Sequence, residues 1–382
     1  MTIFSLKSDF WENFLNNKQN NNSINKNFIS FQLSNSNQII YILSQIQKMM
    51  NTKELLTDIG QLYNICINDL KLLSAHDHNF VYEFQLQGNN YILRFGTRHS
   101  SELVTAELDW ILYLHKAGVK VSIPVLSKNK NHLEVITKGD KVYNVVVFEK
   151  APGKKVDITN PDQWNENFWF KMGCVMGSIH AASIKYNVEH LKFSRELYED
   201  EETEQWEKYL DPGKDPVIFQ KFKKLKANLE QFPKEKGSYG LIHEDFHLEN
   251  MHVHDGEIFV FDWDDSHYFF YMYDLAACFH ETIWDNPVKK RQEFANRFIP
   301  AFWKGYSTQF HLDRKWLLFL KDFFKWREFI IYICLLRDLD DDKVSERIKE
   351  RLPFWIREFR DYILDNTQIC EIPQDLGIWF PE

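Results

Sequence analysis

The run His243-Glu244-Asp245-Phe246-His247-Leu248-Glu249-Asn250, followed by Phe261-Asp262-Trp263-Asp264, sets a histidine, an amide and carboxylates at spacings suited to chemistry on a phosphate. Phosphoryl transfer from a nucleoside triphosphate leaves the protein little covalent work. It needs a base for the proton of the attacking hydroxyl and metal ions to neutralise the phosphate charge. Asp245 is the candidate base, with His243 and Asn250 beside it in the same catalytic run. The amide oxygen of Asn250 and the carboxylate of Asp262 are candidate ligands for magnesium, a hard cation that prefers oxygen. The alternative reading is a polar hairpin whose Asp and Asn merely cap turns. Against it stands a second match. Asp262 ends the apolar run Ile258-Phe259-Val260-Phe261, which reads as a short buried strand.

At these residues the chain resembles a known family. His243 to Asn250 resembles the H-G-D-L-H-x-x-N loop of the aminoglycoside phosphotransferase and choline kinase family. Phe261-Asp262-Trp263-Asp264-Asp265 resembles its I-D-W or I-D-F-D-D element, and Tyr273-Asp274-Leu275-Ala276 its Y-D-L-A. Protein kinases usually carry D-F-G and then A-P-E; here Trp263-Asp264 stands in place of Phe-Gly and no A-P-E follows, so the small-molecule branch matches better. The resemblance implies an α+β, bilobal protein-kinase-like fold, with a small antiparallel-sheet N-lobe and a mainly helical C-lobe. It implies ATP and Mg2+ as cofactors and a small-molecule hydroxyl as acceptor. In this family the Asp of Y-D-L-A also braces the catalytic loop, which makes Asp274 a supporting residue. The likeness spans residues 55–340, with specific motifs in 241–276.

Such a site needs a sheet that presents a cation to the phosphates. Leu70 to Ser74, Phe80 to Gln85 and Tyr91 to Phe95 read as strands, with Gly88-Asn89-Asn90 as the turn between the last two. Arg94 stands where kinases carry a lysine, and its planar fork would meet phosphate differently from a lysine's point charge. Its partner acid is Glu107 or Glu102, both on a helix expected over Glu102 to Lys116. A Glu102 near the helix start would be a dipole or capping group. The family's E-x-x-x-x-x-W-L pattern favours Glu107. The loop Ala75 to Asn79 would cover the phosphates without a single glycine, and Asn79 resembles the first residue of the family's N-x-v-y. Val145 to Phe148 reads as the last strand. Phe148, Glu149 and Ala151 then form a hinge whose backbone would pair with adenine, which leaves ATP against GTP open. Ala151-Pro152-Gly153 resembles the A-x-G beyond it.

Beyond the hinge, Phe168 to Tyr186 reads as an amphipathic helix whose Gly173, Gly177 and His180 resemble the family's G-x-x-x-G-x-x-H; His180 reads as structural. Asp274 is expected to start, and to cap, a helix reaching Trp284. The aromatics from Trp316 to Tyr332 recur at helical spacing and read as core. Asp264, Asp265, Tyr268 and Trp284 are candidate substrate residues, because carboxylates and aromatic faces together suit a cation, with Asp264-Asp265 alternatively part of the metal site. Glu281 and Asp285 lie near them in sequence. Arg327-Glu328 is either a substrate contact or a surface pair.

The chain of 382 residues is 44% hydrophobic with a net charge of −9. That is enough for two lobes, expected over 53–149 and 150–382. The charge and the lack of a basic stripe argue against nucleic acid, and Lys221 to Lys226 reads as the solvated face of a helix. No apolar run is long enough for a membrane span. Five scattered cysteines and no secretory signal point to reduced thiols in the cytoplasm. His252 and His254 read as surface residues. Two readings compete with small-molecule phosphotransfer: a Ser/Thr protein kinase of similar fold, and a non-catalytic pseudokinase or coat-type binding protein. Residues 1–50 are Asn-rich and of low complexity. They read as an accessory segment or a leader from an upstream start codon. A chain begun at Met49 is expected to show the same thermal unfolding midpoint for its core as the full chain; a collapse of that midpoint would make the segment part of the fold.

Overall fold

The computed structural model describes residues 53–75, 79–187, 208–340, 344 and 346–381. The Asn-rich segment and most of the loop between Ala75 and Asn79 lie outside the described residues. The described residues form two compact units, one of 53–108 and 123–150, the other of 109–122 and 151–381. The division therefore cuts the chain at three places and not only near residue 150.

In the smaller unit, Leu55, Ile59 and Tyr63 recur every fourth residue on a helix over 53–63 (α1). They bury one face of it against Phe84, Leu93, Phe95, Val145 and Val147 of a sheet. That sheet is antiparallel, with β1 (Lys71–Ala75), β2 (Asn79–Leu86), β3 (Asn89–Gly96), β4 (Glu134–Lys138) and β5 (Lys141–Glu149) in the order β1-β2-β3-β5-β4. The turn joining β2 to β3 is Gln87-Gly88, one step earlier than expected, because Asn89 already pairs with Leu86. Both turn residues have left-handed φ, 53° and 84°, the twist that suits a two-residue hairpin. The edge strand β4 was not anticipated; its alternating burial spans only five residues. Helix α2 runs Ser101–Lys116.

The larger unit is mainly helical. Helix α3 (Glu166–Ser183) starts at Asn165, whose side chain accepts from the N–H groups of Asn167 and Phe168. It lies against α6 (Arg291–Gln309) so closely that a Cβ on Gly173 would stand 1.9 Å from the Phe302 carbonyl oxygen, and one on Gly305 1.9 Å from that of Phe170. Helix α4 (Pro216–Glu230) is capped by Asp215. Its Lys221 is not merely solvated, since the ammonium donates to the Ile363 and Leu364 carbonyls at the end of α9 (Leu352–Asp365). Between them come β6 (Tyr239–Ile242), the hairpin β7 (Met251–His254) and β8 (Glu257–Val260), and β9 (His267–Phe270), which pairs with β6. Helix α5 covers Tyr271–Trp284, α7 Leu320–Asp340, and a single turn, α8, Glu346–Lys349. Among the described residues no helix is long and apolar enough to cross a membrane. All five cysteines are free thiols.

Inside this unit Glu328 of α7 is fully buried. It accepts from the Lys325 ammonium at 2.7 Å, and Lys325 also donates to the Tyr362 carbonyl at 2.7 Å. Burial pushes the Glu328 carboxyl up to about 7 in spite of that ammonium. The folded chain therefore binds a proton here that an unfolded glutamate, with a pKa of about 4.3, has released. Stability from this group is complete below that value and is lost as pH rises towards 7. Urea unfolding midpoints measured from pH 5 to 8 should fall over this range, and Glu328→Gln should flatten the slope.

Candidate active site

Asp274 organises the catalytic run. It sits in the first turn of α5, which begins at Tyr271 and has no side-chain cap, so Asp274 is not the capping residue expected of it. Its buried carboxylate instead accepts the backbone N–H of His243 at 3.1 Å and that of Glu244 at 2.8 Å. A third bond comes from His180 Nε2 at 3.0 Å, and His180 Nδ1 meets the Tyr306 hydroxyl at 2.8 Å. Burial alone would raise the Asp274 carboxyl, but His180, with the His243 backbone, holds it below its ordinary range. His180 is thus structural, tying α3 and α6 to the loop.

This bracing matters because Glu244 has a left-handed φ of 69°. For a residue with a side chain that costs roughly 1–3 kcal/mol, and it persists only where the surroundings dictate it. Past Glu244 the chain turns so that Asp245 is presented with one-fifth of its side chain exposed. Oδ2 of Asp245 lies 3.1 Å from His247 Nε2 and 3.1 Å from Asn250 Nδ2, which also donates to the Asp245 carbonyl at 3.0 Å. Oδ1 lies 3.4 Å from Arg327 Nη2. Burial opposes ionisation, but His247 and then Arg327 outweigh it and keep Asp245 well below the usual carboxylate range. The carboxylate is therefore ionised at neutral pH, as a proton acceptor must be.

The candidate metal ligands are set by the β7–β8 hairpin. Its Asp255-Gly256 turn has left-handed φ at both residues, and its register pairs Met251 with Val260. The ladder ends with Phe261 N–H donating to the Asn250 carbonyl at 3.0 Å, which brings Asn250 alongside Asp262. Asn250 is buried, and its Oδ1 has no hydrogen-bond partner. An orphaned buried amide oxygen beside a carboxylate is the donor set a hard divalent cation prefers, so the residues present fit one. Asp262 is exposed and also left-handed, with φ 66°.

The other expected residues are placed as follows. His243 is fully buried between Trp263 (ring centroids 4.3 Å apart) and Phe246, and burial lowers its pKa, so it supports the loop as a neutral plug. Asp264 is buried and Asp265 half-buried, and the charge of Asp265 is felt at Asp245. Tyr268 is half-buried in β9, where its carbonyl accepts from the Tyr239 hydroxyl. Trp284 is a packing residue. It is buried against Trp355 and Phe359 and donates to Glu358 at 3.4 Å, so a substrate role is not carried further. His252 bonds the Ala151 carbonyl at 3.0 Å, and Val253 pairs with Lys154. That pairing demands Gly153, where a Cβ would fall 1.9 Å from the Val253 oxygen.

In the smaller unit, Arg94 Nη2 donates to Glu107 Oε2 at 2.7 Å, with Glu107 buried and the guanidinium over the Phe148 ring; Glu102 is exposed. Asn79 opens β2 opposite Gly96. Phe148 is buried, Glu149 is exposed, and the Glu149 N–H donates to the Ile123 carbonyl at 2.9 Å.

Sequence reasoning gave no role to Glu244 or His247, and named Arg327 only as a substrate contact or surface pair and Glu281 only as a neighbour of the substrate residues. Arg327 and Glu328 are fully buried, so neither forms a surface pair. The available signals were two charges between Trp326 and Phe329-Ile330-Ile331, and a glutamate where the resembled loop has glycine.

The profile of the phosphotransferase enzyme family matches residues 69–316. The amicoumacin kinase of Bacillus subtilis (strain 168) is 30% identical over 321 residues, covering 83% of this chain and 94% of the relative. The structure of amicoumacin kinase hAmiN in complex with AMP-PNP, Ca2+ and Ami superposes with a TM-score of 0.77 and 31% identity, over 86% of this chain and 97% of that one. A microcompartment-associated aminopropanol kinase has a TM-score of 0.62 at 19% identity over 82% and 99% of the two chains, a likeness of fold. The α+β fold is kinase-like.

Replacing Asp274 by Asn leaves one oxygen for three donors and points an NH2 group at the rest. Loss of a partner in such a buried charged network costs about 3–5 kcal/mol. Asp274→Asn should lower kcat ten- to a hundredfold and depress Tm by several degrees, as read by steady-state kinetics and thermal melts.

Proposed function

The chain belongs to the phosphotransferase enzyme family, and from that premise we propose how its residues divide the work and which acceptor they serve. It is a kinase that uses ATP and a divalent metal to phosphorylate a small-molecule hydroxyl. Asp245 is the base: as the acceptor oxygen bonds to the γ-phosphorus, the bond from phosphorus to the β,γ-bridging oxygen breaks and ADP leaves with its electron pair, while the acceptor's O–H proton passes to this carboxylate. Asn250 and Asp262 would hold magnesium, which when bound neutralises charge on the phosphates. Arg94, oriented by Glu107, contacts the α- and β-phosphates. Backbone groups of Phe148, Glu149 and Ala151 other than the Glu149 N–H and the Ala151 carbonyl would meet the adenine, and Asn79 would belong to the phosphate-covering loop.

The acceptor carries a cationic amine as well as the reacting hydroxyl. One observation carries this reading. Around Asp245 the Arg327 guanidinium faces three carboxylates, those of Glu244, Asp245 and Glu281, with His247 also against Asp245 and His267 against Glu244. The carboxylates of Asp264 and Asp265 lie within 4.8 Å of each other in the adjoining segment. A site with more carboxylates than cations attracts a positive ligand and repels an anionic one. Tyr268, half-buried in β9, is the aromatic residue put forward for the cation. Amicoumacin is the first acceptor to test, because the relatives named for it align over most of both chains.

The test is magnesium-dependent ATP consumption with amicoumacin, aminoglycosides, choline, ethanolamine, homoserine and neutral sugars. Stimulation by an amine-bearing acceptor, absent with Asp245→Asn and Asp262→Ala at unchanged Tm, is the expected outcome. Stimulation by a neutral sugar alone would refute the cationic acceptor. An active Asp245→Asn variant would refute the base.

A further inference from the structure

Behind Asp245 lies a group of buried charges that phosphate chemistry does not account for. Arg327, midway along α7, has no exposed surface. Its Nη2 is 3.1 Å from Glu281 Oε1 on α5 and 3.4 Å from Asp245 Oδ1, and its Nη1 is 3.8 Å from Glu244 Oε1. Glu244 and Glu281 are themselves buried. Glu244 is fixed further by the Tyr273 hydroxyl at 3.2 Å and by His267 Nδ1 at 2.7 Å. Burying a guanidinium together with two carboxyl groups is unfavourable unless they are closely paired. Here the pairing is directional, since the planar fork spreads its donors over groups from two elements while one edge faces the base.

The two oxygens of Asp245 are consequently held from opposite sides. His247 and Asn250 meet Oδ2, and Arg327 meets Oδ1. Removing the guanidinium would free the carboxylate to turn about its side-chain bonds.

We propose that Arg327 is a positioning residue for phosphotransfer: clamped by Glu244 and Glu281, its guanidinium holds the Asp245 carboxylate in the orientation from which it takes the acceptor's proton. The gain is one of pre-orientation, paid in folding and not at each turnover. Glu244 serves as part of the clamp. In the loop that this run resembles, glycine stands here and would suit the left-handed φ of 69° without strain. The glutamate instead brings a carboxylate to the guanidinium.

The inference rests on Asp245 being the base, and Asp245→Asn tests that reading alone. The clamp is tested with Glu244→Gly, Glu281→Gln, Arg327→Lys and Arg327→Met. Turnover is measured with amicoumacin and, separately, with water as acceptor in slow ATP hydrolysis, so that the result does not depend on the acceptor's identity. ATP affinity and Tm are measured alongside. Glu244→Gly and Glu281→Gln should lower turnover five- to thirtyfold with ATP affinity changed less than twofold. Arg327→Met should lose a hundredfold or more, and Arg327→Lys should recover at least tenfold over Met. Glu244→Gly is the sharpest test, because it relaxes the backbone while removing the clamp carboxylate, together with its contacts to Tyr273 and His267. Wild-type turnover in folded Glu244→Gly and Glu281→Gln, or losses confined to ATP affinity, would overturn the proposal. If Arg327→Met fails to fold, the two glutamate variants and the lysine variant decide.

Discussion

A single buried carboxylate, that of Asp274, holds the catalytic run in a conformation its own residues would not choose. It accepts two consecutive backbone N–H groups, from His243 and Glu244, and a third bond from His180. Two successive amides can converge on one carboxylate only if the chain turns sharply there, and Glu244 does so with a left-handed φ. Asp274 is anchored in turn through His180 to Tyr306, so α3, α5 and α6 all constrain the loop. The close contact of α3 and α6 through Gly173 and Gly305 sets how far His180 can move. A catalytic base held this way needs no rearrangement to reach its working position.

The charges around that base follow from the same constraint. Once Glu244 is turned inward its carboxylate is buried and needs a cation, which Arg327 supplies from α7. Arg327 is also buried, and Glu281 completes its pairing. Desolvation opposes every one of these charges, yet the mutual attraction in a poorly screened interior keeps Asp245 ionised. The network thus ties base orientation to the packing of α5 on α7.

The metal-binding pair obeys a simpler rule. Asn250 and Asp262 stand at the two ends of a short hairpin, and a ladder of backbone hydrogen bonds sets their separation. The tight Asp255-Gly256 turn allows no slippage of register, so the pair is preset by local structure. Asp245 and Asn250 are joined by side-chain and backbone bonds within the same run, which couples the proposed base to a proposed metal ligand locally.

Local chemistry was legible in the residues alone. The spacing of Asp245, Asn250 and Asp262, the hairpin between the last two and the strand carrying Arg94 all depend on short-range geometry, which residue order dictates through turn chemistry and alternation. Family membership followed from the same motifs. Tertiary structure alone decided what long-range burial decides. It set Glu107 beside Arg94 and left Glu102 in solvent, turned Trp284 into the helical core, and moved the start of α5 back to Tyr271 because β9 pairs with β6. It also carried Arg327 across 82 residues of sequence to Asp245. A charge in an apolar run announces that it must be paired. The identity of its partners is a property of how helices pack, and no spacing along the chain encodes it.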